Sequence, residues 1–341
     1  MKRFFCGLLL ISLLLSGCGA GAGEPEQKQY TATFLTLFDT LTAIKGSAES
    51  QEAFTASVQD IHDDLERCHQ LFDIYNDYEG IHNLKTVNDA AGIAPVEVDP
   101  LIIQMLLDCK QYYSISGGKV NVAMGSVLAL WHEARNDSLD NPANAYLPDV
   151  SELEEAAAHW DIQSLVIDEE ASTVFLTDPQ ARLDVGAIAK GWSVEYAAKR
   201  APSGMLISVG GNVCATGPKA KDTPWVVGVS DPKDPKGYLH TLYLNKGCLV
   251  TSGDYQRVYV VNGEPYHHII DPDTLYPSEY WSSVTIVCQD SGLADALSTA
   301  LFLMDQESGQ QILDQFGAEA LWVDRDGNLF YSPGFQDLIR T

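Results

Sequence analysis

Two periodicities alternate along this chain, and together they restrict its fold more than any other feature. From Glu52 onward, apolar residues fall at Phe54, Val58, Ile61, Leu65, Cys68 and Phe72, which is helical spacing with one inward face. Asp99 is placed to cap a second helix through Ser114, with Leu101, Met105 and Leu106 inward. Ser151, Glu152, Leu153 and Glu154 open a short helix with an acidic first turn. Residues 30–44 instead alternate β-formers with small polar residues, which predicts strands interrupted at Asp39 and Thr40. The second half is richer in extended runs: 165–167, 174–176, 205–209, 225–229, 241–244, 258–261 and 284–287. Helices are expected between them at 187–200, 293–304 and 307–316. Val261, Asn262, Gly263 and Glu264 form a hairpin signal, because Asn-Gly adopts the left-handed angles a tight turn needs. Strand runs joined by such turns favour an α+β fold over a doubly wound sheet. The expectation is a single large mixed domain, with a largely antiparallel sheet and packed helices. Residues 77–92 and 136–149, rich in Asn, Asp and Gly or Pro, read as loop and surface excursion.

The amino terminus reads as an address rather than as structure. Lys2 and Arg3 precede an apolar run from Phe4 to Leu15, too short to cross a bilayer as a mature helix. Leu15, Ser16, Gly17 and Cys18 follow, and this segment resembles the lipobox of bacterial lipoproteins. That resemblance implies a signal over residues 1–17, lipidation at Cys18, a flexible tether over 18–29, and the folded domain over 30–341. Acyl chains on Cys18 would anchor the protein outside the cytoplasm at the cell membrane. A plain cleaved signal with an incidental cysteine is the alternative.

Charge narrows the partners. Lys and Arg total 21 against 47 Asp and Glu, a formal charge of −26, so nucleic acid is excluded as a partner and no basic patch binds anionic lipid. Beyond Cys18 and the signal's Cys6, the cysteines are Cys68, Cys109, Cys214, Cys248 and Cys288. Five is odd and no CxxC occurs, which argues against a disulfide scaffold or a zinc site and leaves one disulfide open.

Five segments could carry chemistry. Leu183 through Gly191 reads as a strand ending at Asp184 and a helix beginning among small residues, so that helix amides and Lys190 could face an anion. A tight strand-to-helix turn with a surface lysine explains the same residues. Ser208 through Asn212 runs a strand into paired glycines, and Val250 through Tyr255 offers hydroxyls and a turn; each is weak alone. In Tyr266 through Pro272, His267 and His268 point to opposite faces if extended, so one is structural and the other is free to act as acid, base or donor. Asp295, Ser298 and Thr299 lie at i, i+3 and i+4 on one helix face, an oxygen set that suits Mg²⁺. A helix cap with back-bonding hydroxyls is the competing reading.

Taken in order, these segments, together with Phe38-Asp39-Thr40 and residues 118–131, resemble the FAD:protein FMN transferases of the ApbE family. The resemblance covers essentially all of the chain after the tether. It implies Mg²⁺-dependent transfer of FMN from FAD to a Thr or Ser hydroxyl of an extracytoplasmic acceptor flavoprotein, with release of AMP. It implies Asp295 and Thr299 as metal ligands, Ala187 through its carbonyl, and Ser298 at a position where some members carry an acid. It places Phe38, Asn121, Val122, Ala123, Asp184, Lys190 and Ile270 at the FAD site and His268 nearest the phosphoryl chemistry. The chain departs from the family pattern with Phe38-Asp39-Thr40 for Met-Gly-Thr and Asn121 for aspartate. A Mg²⁺-dependent FAD pyrophosphatase and a non-catalytic flavin-binding lipoprotein remain the alternatives.

Overall fold

The computed structural model describes residues 28–341. The signal, Cys18 and nearly all of the expected tether lie outside them. Lys28 and Gln29, assigned to that tether, are already paired in the first strand.

In chain order the strands are β1 (Lys28–Leu37), β2 (Thr40–Ala48), β3 (Val96–Glu97), β4 (Leu165–Asp168), β5 (Thr173–Leu176), β6 (Met205–Val209), β7 (Asn212–Ala215) and β8 (Trp225–Asp231). There follow β9 (Asp234–Leu244), β10 (Gly247–Gly253), β11 (Tyr259–Val261), β12 (Glu264–Tyr266), β13 (Ser283–Cys288), β14 (Glu319–Val323) and β15 (Leu329–Tyr331). The helices are α1 (Gln51–Phe72), α2 (Leu84–Asp89), α3 (Pro100–Ile115), α4 (Gly125–Asp140), α5 (Val150–Ala157), α6 (Ala189–Arg200), α7 (Ser291–Phe302) and α8 (Gln306–Phe316). An eight-stranded sheet in the order β1-β2-β6-β7-β10-β13-β14-β15 organises the molecule, and each neighbouring pair in it is antiparallel. The expected α+β class holds: a single mixed domain built on a large antiparallel sheet with packed helices.

Apolar stripes on the helices make the packing. α1 buries Phe54, Val58, Ile61, Leu65, Cys68, Leu71 and Phe72, and Ser50 caps it by accepting a hydrogen bond from Ala53. α7 is buried almost all round, as a helix between a sheet and other helices must be. Asp290 caps it, accepting from the amide of Leu293 at 2.9 Å.

Four local expectations need correction. Residues 77–92 are not all loop, since Asn83 and Thr86 close a reciprocal capping box that starts α2. α4 runs to Asp140, so the surface excursion begins five residues later than the composition implied. The segment entering Asp184 belongs to no strand: Arg182 makes an isolated bridge with Met124, and the Asp184 amide donates to the Val122 carbonyl at 2.8 Å. α6 begins at Ala189 rather than at Ala187.

Candidate active site

A cavity of about 440 Å³ opens where α6, α7, β10 and the β1–β2 turn converge. That volume lies within the range of small-molecule sites. Phe38, Asn121, Val122, Asp184, Ala187, Lys190, His268, Ile270, Asp295 and Thr299 all line it, although they are dispersed over most of the sequence. Ala123 and Ser298 do not reach the wall; each is fully buried.

The β1–β2 turn supplies one rim. Phe38 and Asp39 have φ of 52° and 51°, the left-handed pair of a two-residue hairpin turn. A bulky residue is costly there, and such strain persists where surrounding structure fixes it. His69 does so: its Nδ1 accepts from the Phe38 amide at 3.4 Å, and the two rings meet edge to face at 5.3 Å. Gly210 packs against this rim, where a side chain would press on Thr40, and its φ of 57° turns β6 into β7.

The floor is the contact between α6 and α7. The Gly191 amide donates to Asp295 Oδ2 at 2.7 Å, and Lys190 Nζ lies 3.9 Å from the same oxygen. Burial raises the Asp295 carboxyl above its ordinary range, opposed by Lys190 and by the Gly191 amide. Asn212 approaches the same carboxylate, yet its buried amide nitrogen closes no well-formed hydrogen bond. Burial likewise raises Asp184, against the Gly186 amide, which donates to its Oδ1 at 2.8 Å. The buried Asp295 and the half-buried Asp184 thus bring two carboxyl groups to one cavity, where their oxygens could ligate a cation.

Ser298 takes another role. Its hydroxyl donates to the Asp295 carbonyl at 2.9 Å and meets Ser252 Oγ at 2.8 Å, so it fastens α7 to β10 from behind the cavity wall. Asn121 is also committed locally: Oδ1 accepts from the Ala123 amide at 3.0 Å and Nδ2 donates to the Trp160 carbonyl at 2.9 Å. These two bonds fix its place beside Val122 on the cavity wall.

The two adjacent histidines separate by environment. His267 is buried, with Nε2 donating to the Ser278 carbonyl at 2.9 Å and Nδ1 accepting from the Ile269 amide at 3.2 Å, so both ring nitrogens are used. Its ring touches the cavity wall all the same. His268 donates from Nδ1 to the Gln256 carbonyl at 3.1 Å, which fixes the tautomer and leaves the Nε2 lone pair free. Burial, assisted by Arg257 and Lys190, lowers it to about 3. It is a neutral imidazole at physiological pH, with Nε2 open to accept a hydrogen bond. Lys119 steadies the loop that follows, pairing with Asp271 at 2.8 Å and Asp273 at 2.7 Å.

Sequence reasoning missed much of the opposite wall. Tyr75 and His132 meet there with ring planes tilted by 31° and centroids 5.2 Å apart, beside Trp131, Arg135 and Arg257. Neither arginine has an ion pair among the described residues, although the chain carries more than twice as many acids as bases. Arg257 has a φ of 48°, a third non-glycine residue at the cavity with left-handed backbone, after Phe38 and Asp39. No local sequence pattern marks Tyr75, Arg135 or Arg257 as members of this wall.

Known proteins resemble this one in sequence and fold. The sequence profile described as the ApbE family matches residues 38–322. A Treponema pallidum (strain Nichols) protein named FAD:protein FMN transferase is 30% identical, over 96% of this chain and 93% of its own length. One of the same name from Klebsiella pneumoniae (strain 342) is 29% identical, over 78% of this chain and 84% of its own. The crystal structure of the ApbE protein from Thermotoga maritima superimposes with a TM-score of 0.82 at 30% identity, covering 92% of this chain and 100% of that one. The flavin transferase ApbE from Vibrio cholerae shares the fold, with a TM-score of 0.76 at 22% identity over 92% of this chain and 100% of its own.

Proposed function

Because the chain belongs to the ApbE family and is a flavin transferase, we propose that it moves FMN from FAD to a Thr or Ser hydroxyl of a partner protein and releases AMP. The observation that carries this reading is the single cavity that gathers Asp184, Lys190, Asp295 and Thr299 beside a neutral His268 with a free Nε2.

The donor set fits Mg²⁺. Asp295 supplies a carboxylate, Thr299 a hydroxyl and Ala187 a carbonyl lying just outside the first turn of α6, all of them the hard oxygens this ion takes. When bound, Mg²⁺ would neutralise pyrophosphate charge and act as a Lewis acid. The protein's own groups do the rest. Lys190 and the uncapped amino end of α6 attract the anionic pyrophosphate into an otherwise acidic molecule. Tyr75, Trp131 and Phe38 provide flat apolar surface for the dinucleotide's rings. His268 Nε2 accepts the proton of the acceptor hydroxyl as its oxygen attacks the FMN-side phosphorus. The phosphoanhydride bond then breaks, and AMP departs with the bridging oxygen.

We place the site outside the cytoplasm, held to the membrane by lipid on Cys18, on the strength of the lipobox-like segment. The acceptor is then another extracytoplasmic protein.

The test mixes the protein with FAD, Mg²⁺ and a candidate acceptor, followed by mass spectrometry of the acceptor. The expected product carries FMN, less one water, on a Thr or Ser, with AMP released in equal amount. FMN and AMP appearing without any modified acceptor indicate a pyrophosphatase, and FAD recovered intact indicates a binding protein. Asp295→Ala should lower transfer at least about 100-fold while the protein stays folded. Normal flavinylation by that variant in Mg²⁺ would remove Asp295 from the metal site.

A further inference from the structure

Three cysteines sit side by side across the middle of the large sheet. Cys214 on β7 is the registered partner of Cys248 on β10, and Cys248 is registered in turn with Cys288 on β13. Directly opposed residues of antiparallel strands project to the same face. The sulfurs of Cys214 and Cys248 are 2.6 Å apart, whereas heavy atoms in ordinary contact sit roughly 3.5–4.0 Å apart. Cys288 is engaged elsewhere, its thiol donating to the Asp290 carbonyl at 3.0 Å. Glu195 of α6 lies 4.0 Å from the Cys248 sulfur, but its carboxylate already accepts from the Ser291 amide at 2.7 Å and pairs with Lys199 at 3.2 Å. Of the three thiols, Cys214 and Cys248 are therefore the two left to each other.

We propose that Cys214 and Cys248 are a redox pair that closes to a disulfide joining β7 to β10. The strands concerned are the ones that carry Asn212 and Ser252 to the floor of the cavity. In the reaction the two S–H bonds break and one S–S bond forms. Two electrons and two protons pass to a disulfide oxidant, such as oxidised glutathione or a thiol–disulfide oxidoreductase, which leaves as a dithiol or as two thiols. The covalent loop encloses the β8–β9 hairpin, so the link constrains a long stretch of unfolded chain. The contact with Cys214 and burial both push the Cys248 thiol upward, which makes its thiolate scarce once the sheet has closed. Both sulfurs are buried in the folded sheet, so an oxidant reaches them during folding, before the sheet closes.

The experiment uses the full chain without FAD, so its outcome is independent of the flavin chemistry. Protein exposed to oxidised glutathione during refolding is denatured, alkylated and digested without reduction. A linked peptide pair containing Cys214 and Cys248 is expected, with Cys68, Cys109 and Cys288 alkylated. Oxidised protein should melt about 5 °C or more above protein kept in reductant. The Cys214→Ala and Cys248→Ala variants, and a Cys214→Val/Cys248→Val pair that better preserves packing, should retain flavin transfer but lose the redox dependence of Tm. Alkylation of both Cys214 and Cys248 after oxidation overturns the proposal. So does a Cys248–Cys288 link, or a zinc ion retained by the Glu195, Cys214 and Cys248 cluster in place of the bond.

Discussion

His268 shows how a single side chain acquires a role from its surroundings. The sequence marks two adjacent histidines without ranking them; the hydrogen bonds do the ranking, since both nitrogens of His267 are used and Nε2 of His268 is free. His268→Ala should lower transfer by about 10²–10⁴-fold, the usual contribution of a positioned base, measured as kcat on an acceptor protein. The same residue ties stability to pH. Its folded value of about 3 lies below the ordinary 6.5, so the unfolded chain takes up the proton first. The associated stability is fully present above pH 6.5 and is lost as pH falls toward about 3. Between pH 6.5 and 5, Tm should therefore drop more steeply for the native chain than for His268→Gln; parallel slopes would show that the imidazole is not buried neutral. Asp184, Lys190, Asp295 and Thr299 were legible because each stands in a local pattern of helix start or helix face. Tyr75, Arg135 and Arg257 were not, because nothing in their own neighbourhoods marks them as convergent.

At the scale of elements, the site depends on how closely α6 approaches α7. Gly191 sits where any Cβ would meet the Ser291 carbonyl and the Asp295 side chain, and its amide holds Asp295 in place. Gly191→Ala should lower the free energy of unfolding by about 1–3 kcal/mol, as overpacking does, and reduce transfer along with it. Urea titration and an activity assay check both, and an unchanged midpoint would mean that the helices can part without cost. Most elements were readable from periodicity: the α1 stripe and the Asn262-Gly263 hairpin appear where the pattern placed them. Elements without a long repeat escaped it. α2 is six residues started by a capping box, and β14 was never singled out, because a buried strand alternates little.

For the molecule as a whole, the cavity lies where separate apolar clusters meet. Phe38 packs against two of them, one centred on α3 and α7 and the other on α1 and the first strands of the sheet. Phe302 ends α7 in the first of these, edge-on to His267 at 5.7 Å, and its carbonyl accepts from Ser278 Oγ at 2.9 Å. Phe302→Ala should cost about 3–5 kcal/mol, and unfolding followed by tryptophan fluorescence and by far-ultraviolet circular dichroism should shift as one transition. Two separated transitions would divide the domain that the eight-stranded sheet unifies. The sequence by itself determined the α+β class, the acidic character and the pieces of local machinery, because periodicity, charge and helix caps act over a few neighbouring residues. Tertiary structure alone decided that Ser298 fastens a helix while Thr299 faces the cavity, that His268 rather than His267 keeps a free nitrogen, and that Cys214 meets Cys248. Those outcomes rest on hydrogen bonds and strand register between residues far apart in the chain, which no local pattern encodes.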